Sequence, residues 1–186
     1  MNALVTELKT RARLALNAAR RGDSSLLGQL QARLGPDPLP VTDWRLRHCL
    51  TLVAKNAGFA SWDQARKVLG GGAQIGDDLG TFWHAPRCTG LLSHWFPSYL
   101  QARTFLADND TLVLLPYRRH FVLADREYLH AIGVPPAAEQ WRHTRRDLVA
   151  AYGTPHWVAL AQHRLHATRR PGPSSRGKEG DIDKPA

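Results

Sequence analysis

His84-Ala-Pro-Arg-Cys88 followed by His94 makes an H-x3-C-x5-H set, and imidazole with thiolate is a good ligand combination for zinc. Three such ligands on an irregular loop could converge on one ion. The spacing fits no zinc-finger pattern, and nine histidines in the chain favour chance clusters. A surface or hydrogen-bonded core role is therefore the competing reading for each histidine. The same segment offers covalent chemistry, because Arg87 beside Cys88 would favour the thiolate and a histidine within reach could act as base. A phosphatase loop needs arginine six positions after the cysteine, and that position holds His94. The chain also lacks a GxxxxGK[ST] phosphate loop, a GxGxxG turn, an HExxH helix and a GxSxG elbow. The expectation is a non-enzymatic protein with no cofactor and no bound metal. A small enzyme or metal-binding protein using Cys88 with His84 or His94 is the alternative.

Charge points elsewhere. The 186 residues carry 25 Lys+Arg against 16 Asp+Glu, a formal net charge of +9, which draws anionic partners. Residues 1–70 hold 11 basic and 5 acidic side chains, residues 71–136 hold 5 and 6, and residues 137–170 hold 6 and 2. The excess sits at the two helical ends. A further cluster, Tyr117-Arg-Arg-His120, puts three possible cations beside an aromatic at a turn, where it could bind phosphate, stack on a base or stand solvated.

These residues need elements to position them. Leu4, Val5, Leu8, Ala12, Ala15, Leu16 and Ala19 form one helical stripe, with Lys9, Arg13 and Arg20 on a neighbouring face and Gly22 as the stop. Asp23 or Ser24 can cap a second helix bearing Leu26, Leu27, Leu30 and Leu34, which ends before the GPDPLP connector. Thr42 or Asp43 caps a third, with Leu46, Cys49, Leu50, Val53, Ala54 and Ala57 facing the core. Gly58 suits a left-handed C-cap, and Ser61 with Gln64 forms a capping box for a fourth helix. Glycines then crowd residues 70–80 and mark a linker. Beyond it TFWHA reads as a strand, Tyr99 to Leu106 as a helix, and TLVLLPYRRHFVLAD as a hairpin. Asp125 caps a helix that ends at Gly133, and two more helical stretches follow, the last opening at Thr154-Pro155. The six tryptophans read mostly as core.

The organisation expected is mostly α within an α+β class: a basic four-helix module over 1–70, a linker over 71–80, a small α+β domain over 81–167 and a disordered tail over 168–186. With no apolar run of membrane length, no secretory-type N-terminus and only two cysteines, the expected compartment is the cytoplasm.

Within the module, Ala54, Gly58, Phe59, Ala65, Val68 and Leu69 meet the needs of a helix-turn-helix corner, and over about twenty residues the spacing resembles that of arabinose-type transcription regulators. The resemblance implies DNA contact through the second helix of the corner, with Gln64 and Arg66 reaching base edges and Lys67 a phosphate. Asp63 at the groove-facing end opposes that reading. A second resemblance rests on Leu8-Lys9, Ala12-Arg13-Leu14 and RHCLTLVAKNAGFASW from Arg47 to Trp62. These look like the small helical domain attached to glyoxalase-related bacterial proteins. This chain departs from that pattern by inserting a helix and GPDPLP between the halves and by placing Asp63 after the tryptophan. No glyoxalase active site carries over. The second half resembles uncharacterised bacterial sequences, which lend it no function. The expected function is that of a bacterial accessory protein binding nucleic acid or an acidic protein surface, with a protein-interaction module as a further alternative. The candidate contacts are Lys9, Arg13, Arg20, Arg45, Arg47, Lys55, Gln64, Arg66 and Lys67.

Overall fold

A computed structural model describes residues 3–22 and 43–169. Seven α-helices and a small antiparallel sheet make up the described chain, a mostly-α member of the α+β class. The expected second helix, the GPDPLP connector, a cap at Thr42 and the tail beyond Arg169 lie outside the described residues.

Helix α1 (Ala3–Arg20) buries the seven stripe residues expected of it. Glu7 and Arg11, one turn apart, pair at 2.9 Å, and Arg11 also reaches the Leu165 carbonyl at 2.8 Å and the Thr168 hydroxyl at 2.9 Å. The first helix is thereby tied to the last. Helix α2 (Leu46–Asn56) starts later than a cap at Thr42 or Asp43 would place it. The backbone N–H of Arg45 donates to the His48 ring at 3.2 Å, so a side chain inside the first turn closes the end. Leu46 consequently sits ahead of the core stripe and is exposed.

Gly58 turns the chain with φ +92, and Phe59 N–H returns to the Ala54 carbonyl at 3.0 Å. Ser61 caps α3 (Trp62–Leu69) by accepting from Gln64 N–H. Gln64 Oε1 in turn accepts from Ala60 N–H at 2.7 Å, one residue earlier than a capping box requires. Ala54, Phe59, Ala65, Val68 and Leu69 are buried at this corner.

TFWHA is a turn and not a strand. Its backbone groups are taken by other elements: Thr81 N–H donates to Gly58 at 2.7 Å, and the carbonyls of Phe82 and His84 accept from Arg164. Those groups are thereby satisfied without a sheet ladder. A single 3-10 turn follows at Pro86–Cys88. The first strand is instead β1 (His94–Phe96), which lies beside β3 (His120–Ala124), itself paired with β2 (Val113–Tyr117) in the order β1-β3-β2. One sheet face, carrying Val113, Leu115, Val122 and Ala124, joins a large core that also holds Leu8, Leu52, Phe82, Tyr128 and Trp157. The other face, through Leu114, Phe121 and Leu123, packs on Ala102 and Leu106 of α4 (Tyr99–Ala107). Residues from both sides of the glycine-rich segment thus share one core.

Asp125 caps α5 (Arg126–Ile132) at 2.8 Å and Gly133 ends it at φ +73. Helix α6 (Gln140–His143) is a single turn, after which Arg145 and Arg146 take left-handed backbone. Asp147, buried, caps the next turn through Val149 and Ala150 N–H and accepts from Tyr99 OH at 2.8 Å. Thr154 caps α7 (Pro155–Ala167), the last described helix. No described helix is long and apolar enough to cross a membrane.

Candidate functional site

On α1, Lys9, Arg13 and Arg20 fall within about 40° of one another around the axis, because their spacings of four and seven residues bring them back to one side. Arg13 and Arg20 are exposed and Lys9 is half-buried. Arg20 ends the helix and acts electrostatically on Cys49 of α2, while Arg45 and Arg47 act on the adjacent His48. Arg47 thus touches His48 at 3.1 Å, and Arg20 of α1 lies near enough to Cys49 of α2 to act on it. The positive end of the α2 dipole adds to the same field, and its first turn contains no acidic residue.

His48 registers this field. Burial first, then Arg47 and Arg45, lower its pKa below the ordinary imidazole range. Both ring nitrogens face donors: Arg45 N–H meets Nδ1 at 3.2 Å, and Arg47 Nε meets Nε2 at 3.1 Å. A neutral imidazole has one acceptor nitrogen, so only one of these bonds forms at a time, and the protonated ring supports neither. The sequence held a signal for this residue, a histidine in a first helical turn flanked by arginine, but periodicity alone gave no reason to single it out. Arg45 and Arg47 remain exposed. Lys55 lies two turns along α2 from Arg47, on the same side as Thr51, whose hydroxyl donates to the Arg47 carbonyl at 3.1 Å.

The α3 residues are differently placed. Gln64 spends its amide on Ala60 N–H and on the Asp78 carbonyl, the latter at 2.8 Å, so it closes a loop and cannot also reach a base edge. Arg66 lies 3.4 Å from Asp63, and Lys67 lies 2.7 Å from Asp77. Both cations have carboxylate neighbours.

His84, Cys88 and His94 do not assemble a centre; among the described residues no group of three His, Cys, Asp or Glu is placed to hold a metal. His84 Nδ1 is 2.7 Å from Tyr128 OH, and its ring packs against Tyr117 and Trp95. Burial, then Arg164, lowers its pKa. Cys88 is buried, and that burial raises its thiol pKa against the opposing pull of Arg164 and Arg87. His94 points its ring at Phe105, with 4.7 Å between centroids. At the hairpin tip Arg118 takes φ +51 and sets its guanidinium 5.7 Å from the Tyr117 ring centroid. Trp95, expected in the core with the other tryptophans, is 46% exposed because β1 is an edge strand.

Compared with known proteins, the chain matches no family model, no curated protein and no solved structure.

Proposed function

We propose that this chain binds nucleic acid through its phosphates, with Arg20, Arg45 and Arg47 at the centre of the contact and Lys9, Arg13 and Lys55 extending it. The reading is carried by exposed Arg45 and Arg47 in the acid-free first turn of α2, with Arg20 of α1 acting on the adjacent Cys49. Like charges gathered without acidic residues in that turn raise the local potential, which is what a polyanion exploits and what scattered surface charge does not supply. The commitment of Gln64 to backbone partners and the pairing of Arg66 and Lys67 argue against base-edge reading by α3, so recognition follows the backbone and not the sequence.

Fluorescence anisotropy with labelled DNA and RNA duplexes tests the reading. Affinity should fall linearly with salt on logarithmic axes, by about 0.9 in slope per phosphate neutralised on DNA, and unrelated sequences should bind alike. Absence of association at low salt rejects the proposal, and binding to polyglutamate in its place would point to an acidic protein partner.

A further inference from the structure

A cleft of about 110 Å3 lies between the segment that follows α3 and the tip of the β2–β3 hairpin. Leu79, Pro116, Phe121, Leu148, Val149 and Tyr152 wall it, and Ile75, Asp77, Arg118 and Arg119 surround its mouth. The segment arches over the space and is held at both ends. At one end the Tyr152 hydroxyl accepts from Ala73 N–H at 3.1 Å and donates to the Val68 carbonyl. At the other, Leu79 N–H donates to the Arg118 carbonyl at 3.0 Å and Arg118 N–H to the Gly80 carbonyl at 2.7 Å. Neither end bond fills the space between them.

The mouth is cationic. Asp77 is already engaged by Lys67 at 2.7 Å and by Gln74 N–H at 2.8 Å, which hold its pKa below the usual carboxylate range, with a smaller contribution from Arg119. Lys67 and Arg119 act on that carboxylate and Arg118 also lines the cleft, so three cations outnumber Asp77 and its neighbour Asp78 beside an apolar interior. Arg118 occupies a left-handed position where glycine or asparagine costs less, and its guanidinium stands 5.7 Å from the Tyr117 ring centroid.

We propose that the cleft binds a small amphipathic anion, its apolar group in the cleft and its carboxylate or phosphate at Arg118 and Arg119. An enclosed cavity of about 150 Å3 holds benzene, so this smaller, open cleft takes one ring or a short branched chain with the head group outside. The site is separate from the α1–α2 patch and does not rest on nucleic-acid binding.

Amide-resolved NMR titration of the intact chain with benzoate, phenyl phosphate, benzyl alcohol and inorganic phosphate tests the assignment. Benzoate or phenyl phosphate should shift the amides of Ile75, Arg119 and Val149 saturably, and the tighter of the two identifies the head group. Benzyl alcohol, which loses a charge-assisted contact, and inorganic phosphate, which loses the apolar burial, should each bind about ten-fold more weakly or worse. Val149→Phe should fill the cleft and abolish the shifts. If that variant fails to fold, Arg119→Gln, an exposed change, carries the test by weakening the anions about ten-fold and leaving benzyl alcohol unaffected. The proposal is overturned by the absence of saturable shifts with either anion, by equal affinity for benzyl alcohol, by undiminished anion binding in Arg119→Gln, or by shifts confined to Arg45 and Arg47.

Discussion

Arg164 Nε lies 2.6 Å from the carbonyl oxygen of Phe82, and the same guanidinium reaches the carbonyls of His84 at 2.6 Å and Ile132 at 3.0 Å. One buried cation thereby joins α7, the C-terminal end of α5 and the turn that replaces a strand. Burial pulls its pKa down only to about 10, so it stays charged near neutrality. Its hydrogen bonds go to carbonyl dipoles, one of them at the negative end of a helix, where a cation is favoured. Arg164→Met leaves three carbonyls without this donor and should cost about 3 to 5 kcal/mol by urea unfolding, with Arg164→Lys between the two because one ammonium cannot span all three. A loss below about 1 kcal/mol for the methionine variant would show that water or repacking serves those carbonyls equally well.

Gly58 and Gly22 separate backbone strain from crowding. Both have positive φ, +92 and +77, but a Cβ on Gly58 would lie 2.8 Å from the Thr81 carbonyl carbon and 2.9 Å from Phe82 N, while among the described residues nothing stands within 4 Å of one on Gly22. Gly22→Ala should therefore cost about 1 kcal/mol for the left-handed conformation alone. Gly58→Ala should cost more than twice that, because the corner must part from the 81–82 turn. Equal losses in thermal unfolding would mean that the corner is free to shift.

Much of this was legible in local chemistry. Asp125 with Gly133, Thr154 with Pro155, and Ser61 after Gly58 announce helix ends because capping is a short-range property of residue type. The hairpin is equally local, two β-rich runs closing at Arg118 and Arg119. TFWHA misled because its apolar content suits a strand, while the deciding factor, Arg164, lies about eighty residues away. Gln64 misled for a related reason: its place on the exposed side of α3 is visible in the periodicity, but its bond to Asp78 depends on how the glycine-rich segment returns. The effect of Arg20 on Cys49 likewise requires knowing how α1 lies on α2.

Stability should fall on mild acidification. His84 and His48 both have folded-state pKa values below the ordinary range, chiefly from burial, and His84 accepts the Tyr128 hydroxyl proton only when Nδ1 is bare. Below about pH 6.5 the unfolded chain then binds more protons than the folded one, so stability declines as pH drops and is restored as pH rises. Unfolding temperatures should decrease from about pH 7.5 to about pH 5.5, and His84→Asn, which keeps an acceptor but does not titrate, should flatten the curve. An identical slope in that variant would remove His84 from the explanation.

Cys49 and Cys88 should react slowly. Burial is the leading cause of the raised pKa of each thiol, which lowers both access and thiolate population near neutrality. Alkylation by iodoacetamide at about pH 7.5 should run at least ten-fold slower than for free cysteine, and unfolding in urea should abolish the difference. Rapid selective labelling of Cys88 in the folded protein would revive nucleophilic chemistry at that position.

Removing charge from the two helical surfaces should have unequal effects. Arg20, Arg45 and Arg47 are exposed, so changing all three to glutamine leaves the core intact while stripping the field at the His48–Cys49 turn. If each neutralises one phosphate, the salt slope for duplex DNA should shrink by about 0.9 for each, and affinity at low salt should drop correspondingly. Arg66→Gln with Lys67→Gln removes cations that already face Asp63 and Asp77, and the slope should change by less than about one. Reversal of that order, with the α3 pair dominating, would move the contact to the helical corner. The ion pairs of α3 would then have to open on binding, at a cost in affinity.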